Sequence, residues 1–354
     1  MKMHSKVLAA LAAGLATTSG LAGAAQAAPK TTVVYSSSSY VTSDLAVSGG
    51  TLAFLACGEV FERAEGSHDP LPVPGCSPHV DADGGIAYST DGGSRAVAQT
   101  THFPVGGVSF WARSTVSLRG ATIASADVSA VELADNPDGS STYGSTSSRS
   151  CVREALGADA SYRGRVESSL SAVAAGPGRW YTTDREGNTV YRLNGAGTLS
   201  VLAVLPPVKV TVTKALATSN GWPGCVVGTT VAFEPTPTEV EVGNDGSVYV
   251  AGLPRLRSGK HADRSVIDKI NLTSGKIKRL SQRYAGRVDL AVGTKGRLFV
   301  ARPDTDKISV IKNGRSSTYV KLAKVLAVET DERGRLYAAQ GARTGADADV
   351  VRIG

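Results

Sequence analysis

Apolar and polar positions alternate in short runs through most of this chain, and tight turns ending in glycine join the runs. One phrase recurs in the C-terminal third: VEVGNDGSVYVAG from Val240, LAVGTKGRLFVAR from Leu290 and VETDERGRLYAAQ from Val328. Each copy is an alternating run, a turn closed by Gly246, Gly296 or Gly334, and a second alternating run with an aromatic near its centre. Period-two alternation across a glycine turn predicts a β-hairpin. Hairpins repeating every ~40–50 residues predict a propeller-type array.

The pattern extends backwards. AVAAGPGRWYTTDREGNTVYRLNGAGTLSVLAVLPP from Ala172 contains four strand-like runs in order, the content of one propeller blade. The stretch from Val288 repeats that order. The N-terminal half is more degraded, with candidate blades starting at Asp44, Asp81 and Gly106. The last two lie too close together for two full blades with their loops. Six or seven blades fit, and six is preferred. The signature from Val328 supplies only three strands before the chain ends. TTVVYSS, from Thr31 to Ser37, is expected to provide the fourth and close the ring. The predicted class is therefore all-β: a propeller of four-stranded antiparallel blades closed by an N-terminal strand.

Two insertions interrupt the array, 136–164 and 206–237, and both are read as long loops on one propeller face. Cys151 falls in the first and Cys225 in the second. The other two cysteines, Cys57 and Cys76, bracket a loop with Pro70, Pro72, Pro74 and Gly75. Three pairings of four cysteines exist. The preferred one is Cys57–Cys76, which closes that short loop, with Cys151–Cys225 tying the two insertions together. No CxxC or Cys/His spacing suggests a zinc site.

The first 27 residues read as a secretory leader: Lys2 and Lys6, an apolar stretch from Val7 to Leu21, then Ala25-Gln26-Ala27 before the cleavage point. Residues 28–354 are then one secreted, extracellular domain with no membrane span, expected to be monomeric. Charge is uneven. From Leu253 onward there are 22 Lys and Arg against 10 Asp and Glu. A basic half favours anionic partners such as a cell-wall polymer. No aromatic residues interleave the basic ones as nucleic-acid stacking would require, so nucleic acid is not an expected partner.

At this point a family resemblance is visible. FEPTPTEVEVGNDGSVYVAGLPR and VIDKINLTSGKIKRLSQRYAGRVDLAVGTKGRLFVA closely resemble the ScyD/ScyE family of exported, NHL-like propellers, as do ADVSAVELADNPDG from Ala126 and LNGAGTLSVLAVLPP. The resemblance covers about residues 121–351. It implies a secreted or periplasmic bacterial β-propeller and assigns no reaction.

Aligned on the repeats, Asp44, Glu239 and Asp289 fall at one place, the start of the inner strand, with Ala172 and Ala327 at the matching positions of two other blades. Carboxylates near one axis could hold Ca²⁺ through oxygen ligands, and gluconolactonase-type propellers use Glu, Asn and Asp on inner strands in this way. The Asn partner is not evident here. His79 is placed on an inner strand beside Asp81, where it could face Glu239 across the channel; His68, His102 and His261 read as loop or edge residues. No nucleophile elbow, phosphate-cradling loop or HExxH motif occurs. The expected function is an exported, non-catalytic binding module without a cofactor, its ligand contacting Asp44, His79, Glu239 and Asp289. The alternatives are a metal-dependent, lactonase-like hydrolase on the same fold and a cell-envelope protein binding anionic wall polymer.

Overall fold

In the computed structural model, the described residues are 29–37, 44–56, 59–67, 84–105, 109–121, 123–341 and 348–354. They form six blades around one axis. Blade one has three strands among the described residues, Leu45–Ser48, Thr51–Ala56 and Glu59–Ala64. Blade two has Gly85–Tyr88, Ser94–Val105, Ser109–Gly120 and Ala124–Asp127. Blade three runs from Leu170–Gly176 out to Leu199–Val204, blade four from Pro237–Gly243 to Ile277–Ala285, and blade five from Asp289–Gly293 to Arg315–Lys321. The inner strands of successive blades pack side by side around the complete ring, including blade six against blade one.

The alternation that predicted strands also explains how the blades pack. Each sheet is sandwiched, so both of its faces are apolar. In Ser247–Gly252, Val248 and Val250 face blade three while Tyr249 and Ala251 face blade five. The result is six apolar wedges, one between each pair of neighbouring blades. The hairpin turns hold Gly246, Gly296 and Gly334 at φ of 74°, 67° and 73°, the left-handed region that a side chain disfavours.

Blade six is built from both ends of the chain. Val325–Thr330, Leu336–Gly341 and Ala348–Ile353 are completed by Thr31–Ser37, which pairs antiparallel with Ala348–Ile353. A bulge between Val33 and Tyr35 puts two consecutive side chains, Val34 and Tyr35, into the core. Tyr35 is wholly buried, with its ring 5.4 Å from that of Phe54 in blade one. The strand thus completes its own sheet and seals the wedge behind it.

Two readings change. The segments from Asp81 and Gly106 are not separate blades: Ser94–Val105 and Ser109–Gly120 pair along their whole length as the middle hairpin of blade two. The insertions are not loops. Thr142–Gly144, Ser161–Arg163, Val208–Thr211 and Thr230–Phe233 form a sheet of their own, flanked by helices Val128–Asp135, Ser150–Leu156 and Lys214–Ser219. This cap has its own core, in which Tyr143, Tyr162, Trp222 and Phe233 are buried. Aspartate and threonine side chains, Asp127 and Thr213, cap two of its helices. Cys151 is bonded to Cys225. The residues of the proposed Cys57–Cys76 bond and the leader 1–27 lie outside the described residues.

The staple closes a long loop, with a sequence separation of 74, and on the loop-entropy model such a bond stabilises by about 4 kcal/mol. Non-reducing peptide mapping is expected to return a Cys151–Cys225 peptide. The Cys151→Ser, Cys225→Ser double variant is expected to lose thermal stability by several degrees. Recovery of Cys151 joined to any other cysteine would refute the pairing.

Candidate functional site

Each inner strand enters from the cap face and leaves through a hairpin turn on the opposite face. At its start the six blades carry Asp44, Gly85, Ala172, Glu239, Asp289 and Ala327. The equivalence is geometric. The Ile86 N–H donates to Asp44 Oδ2 at 2.6 Å, and the Val328 N–H donates to Asp289 Oδ2 at 2.6 Å. In each case the carboxylate grips the inner strand of the next blade. Blade two has no side chain at this position because a Cβ on Gly85 would sit 2.4 Å from the Val173 nitrogen. Glu239 is one methylene longer and behaves differently: it hydrogen-bonds the Asp289 carboxyl and accepts from its own Val240 N–H at 2.9 Å.

Side chains alternate along a strand, so the residue two further on shares the same face. These positions are Ala46, Ala87, Ala174, Glu241, Ala291 and Glu329. Five carboxyl groups therefore share the bore: Asp44, Glu239, Asp289, Glu241 and Glu329. The sequence reading found the first three and missed the last two, although Glu241 is two residues from Glu239 and period two would have found it. One cation, Arg287, stands beside Asp44 and Asp289 at the cap end and reaches the Thr238 carbonyl at 3.4 Å.

Burial and mutual repulsion set the protonation of this group. Burial, then the charge of Asp289, pushes Asp44 up to about 7. Burial and neighbouring carboxylates hold Glu239, Glu241 and Glu329 well above the usual carboxylate range, and burial raises Asp289 despite its hydrogen bonds and Arg287. Protons are thus retained where like charges would otherwise crowd.

At the turn face the bore opens into a cavity of about 250 Å³ to which all six blades contribute. Glu241 and Glu329 line it with Tyr88, Asn244, Asp331 and Glu332, and no lysine, arginine or histidine lines it among the described residues. Asp331 is paired with Arg335 at 2.6 Å, and Glu332 accepts from the Gly49 N–H. Among the described residues Glu241 and Glu329 have no such cationic partner.

Among the described residues no three His, Cys, Asp or Glu side chains come together as a metal-holding group, and Asp44 and Asp289 each accept from a backbone amide. His79 and Asp81 lie outside the described residues. His261 sits on the cap rim, its Nδ1 3.1 Å from Asp263.

A second buried polar cluster joins the cap to blade three. Asp138, from the NPDG segment, accepts from Tyr143 Oη at 3.0 Å and from Asn188 Nδ2 at 2.9 Å. Asn188 in turn accepts from the Thr236 N–H. Burial, then Asp184 and Asp138, pushes Glu132 up to about 8. This network anchors the cap.

No protein-family model matches the chain, and no curated protein matches it. Solved structures to which it is similar include a glucose dehydrogenase, 13% identical, covering 92% of this chain and 99% of that one with a TM-score of 0.49. Regucalcin from Agrobacterium tumefaciens is 9% identical, covering 73% and 67%, with a TM-score of 0.38. Virginiamycin B lyase from Staphylococcus aureus is 13% identical, covering 92% and 98%, with a TM-score of 0.38. The fold itself is a β-propeller of antiparallel, mostly four-stranded blades. None of these comparisons bears on the narrower ScyD/ScyE resemblance.

The bore makes stability fall as pH rises. Its folded-state pKa values lie above the unfolded carboxylate range, so the extra protons held by the native state stabilise it. That contribution is complete below the unfolded values and is lost as pH rises through the folded ones, about 7 for Asp44. The thermal midpoint is expected to drop between about pH 5 and about pH 8. Glu132 acts in the same direction. Asp44→Asn with Glu329→Gln should raise the midpoint at the higher pH by roughly 2–6 °C and flatten the profile. A midpoint that climbs over this range would refute the assignment.

Proposed function

We propose that this protein is an exported, non-catalytic binding propeller whose axial pocket takes a small organic cation. One observation carries the reading: a cavity shared by all six blades, in which Glu241 and Glu329 converge without a cationic side chain among the described residues to offset them. A ligand amine would supply that charge, with Asn244 and Tyr88 among the polar groups at the pocket wall. At about 250 Å³ the cavity is at the small end of ligand sites. Binding needs ionised carboxylates, so affinity increases with pH across the range in which Glu241 and Glu329 lose their protons.

Export rests on the leader-like segment 1–27, on the Cys151–Cys225 bond, which persists in oxidising compartments, and on the ScyD/ScyE resemblance. No helix among the described residues is long and apolar enough to cross a membrane.

The test is calorimetric titration with putrescine, spermidine and aminated sugars, using neutral polyols as controls. Saturable binding of an amine that weakens roughly tenfold or more in Glu241→Gln with Glu329→Gln is expected. Binding of polyols alone would overturn the charge argument. Robust lactone or ester turnover with added Ca²⁺, Mn²⁺ or Zn²⁺, abolished by Glu239→Gln and Asp289→Asn, would instead favour a hydrolase on this fold.

A further inference from the structure

A second concavity lies on the same face, between blades four and five. It has a volume of about 780 Å³ and is lined by Lys269, Lys276, Lys278 and Lys295, with Asp245 as its one carboxylate. Its floor includes Leu280, Leu298 and Ile311. It begins where the axial pocket ends: Asn244 and Thr294 belong to the pocket, and Asp245 and Lys295, the next residues of the same two turns, belong to the groove.

Two features of the groove oppose stability. Lys269 and Lys278 are directly opposite on neighbouring strands of blade four. Like charges at such a pair repel, because Cβ atoms there are only about 5 Å apart. Lys269 is relieved by Asp245 at 2.6 Å, whereas Lys278, Lys276 and Lys295 have no carboxylate partner among the described residues. Lys295 also holds φ at 62°, a left-handed conformation that a non-glycine residue disfavours. The lysine pair is not required by the fold, since at the matching place in blade three Arg192 is opposite Ser200.

We infer that this groove binds an extended, phosphate-bearing polyanion other than nucleic acid. The lysines supply point charges along a trough. Exposed Asn271, Ser274 and Asn313 supply groups for hydroxyls between the phosphates. Stacking of bases is not provided for: Tyr249 is 8% exposed, its hydroxyl is bonded to Asp245, and Lys269 lies over its ring. The site is independent of the axial pocket and opposite to it in charge.

The probe is inorganic polyphosphate, titrated against the full mature chain at low salt, with oligo(dT) of matched charge and neutral dextran alongside. Polyphosphate is expected to bind, and Lys276→Glu, Lys278→Glu, Lys295→Glu to weaken it at least about tenfold and lower the salt slope by about two to three. A charge-matched control on the cap, Arg153→Glu, Lys209→Glu, Lys214→Glu, should retain most of the affinity. Asp245→Asn, which frees Lys269, should tighten binding. If the Glu set is poorly folded, the corresponding Gln set is measured with the same expectation. Equal losses in the groove and cap variants, no binding at low salt, or tighter binding of oligo(dT) would each overturn the proposal. Retention of polyphosphate binding by Glu241→Gln with Glu329→Gln would separate the two sites.

Discussion

Every other feature of this protein depends on apolar wedges closing into a ring. A blade cannot bury its faces alone; it needs a neighbour on each side, and that neighbour needs another. Burial of apolar area contributes roughly 25 cal/mol per Å², but in this geometry the last wedge forms only if the first and last blades meet. Val34 and Tyr35 on one side and Leu45, Leu52 and Phe54 on the other make that meeting. The bulge that turns two consecutive side chains inward is what allows a short strand to serve both its own sheet and the wedge behind it.

Closure also concentrates charge. Six inner strands brought to one axis leave little room, so the bore is lined mainly by Gly and Ala at the positions that face it. Where a carboxylate occurs it is either committed to a neighbouring strand, as in Asp44 and Asp289, or left with other carboxylates, as in Glu241 and Glu329. The same side-chain type thus plays two parts. At the cap end it ties blades together across a hydrogen bond. At the turn face it faces an open cavity. Length and depth decide which, since one pleat separates Glu239 from Glu241.

Much of this was legible in the chain, for physical reasons that differ by region. The turns at Gly246, Gly296 and Gly334 are legible because a left-handed φ leaves few choices of residue. The equivalence of Asp44, Glu239 and Asp289 is legible because hairpin spacing fixes where the inner strand starts. Blade two was misread because its middle hairpin is long: the alternation from Ser94 to Val105 and from Ser109 to Gly120 is continuous enough to suggest two separate units. The cap was misread as loops because its strands are only three or four residues long and pair across gaps in sequence, Thr142–Gly144 with Thr230–Phe233. Local patterning cannot report a partner so far away. Pairing of the lysines Lys269 and Lys278 was hidden for the same reason, since register is set by the turn between their strands and its irregularities.

The strand that completes blade six has a consequence for how the chain is made. Ser36 Oγ reaches Asp349 across 313 positions of sequence. Thr31–Ser37 is synthesised long before its partner, Ala348–Ile353. Contacts between such distant segments form slowly because loop closure must precede them. Until then a nascent chain carries two unpaired strand edges, one at each end of an incomplete ring. The protein must therefore pass through synthesis as an open arc that can pair with another copy of itself, and that hazard is removed only once Ala348–Ile353 is made and pairs with Thr31–Ser37.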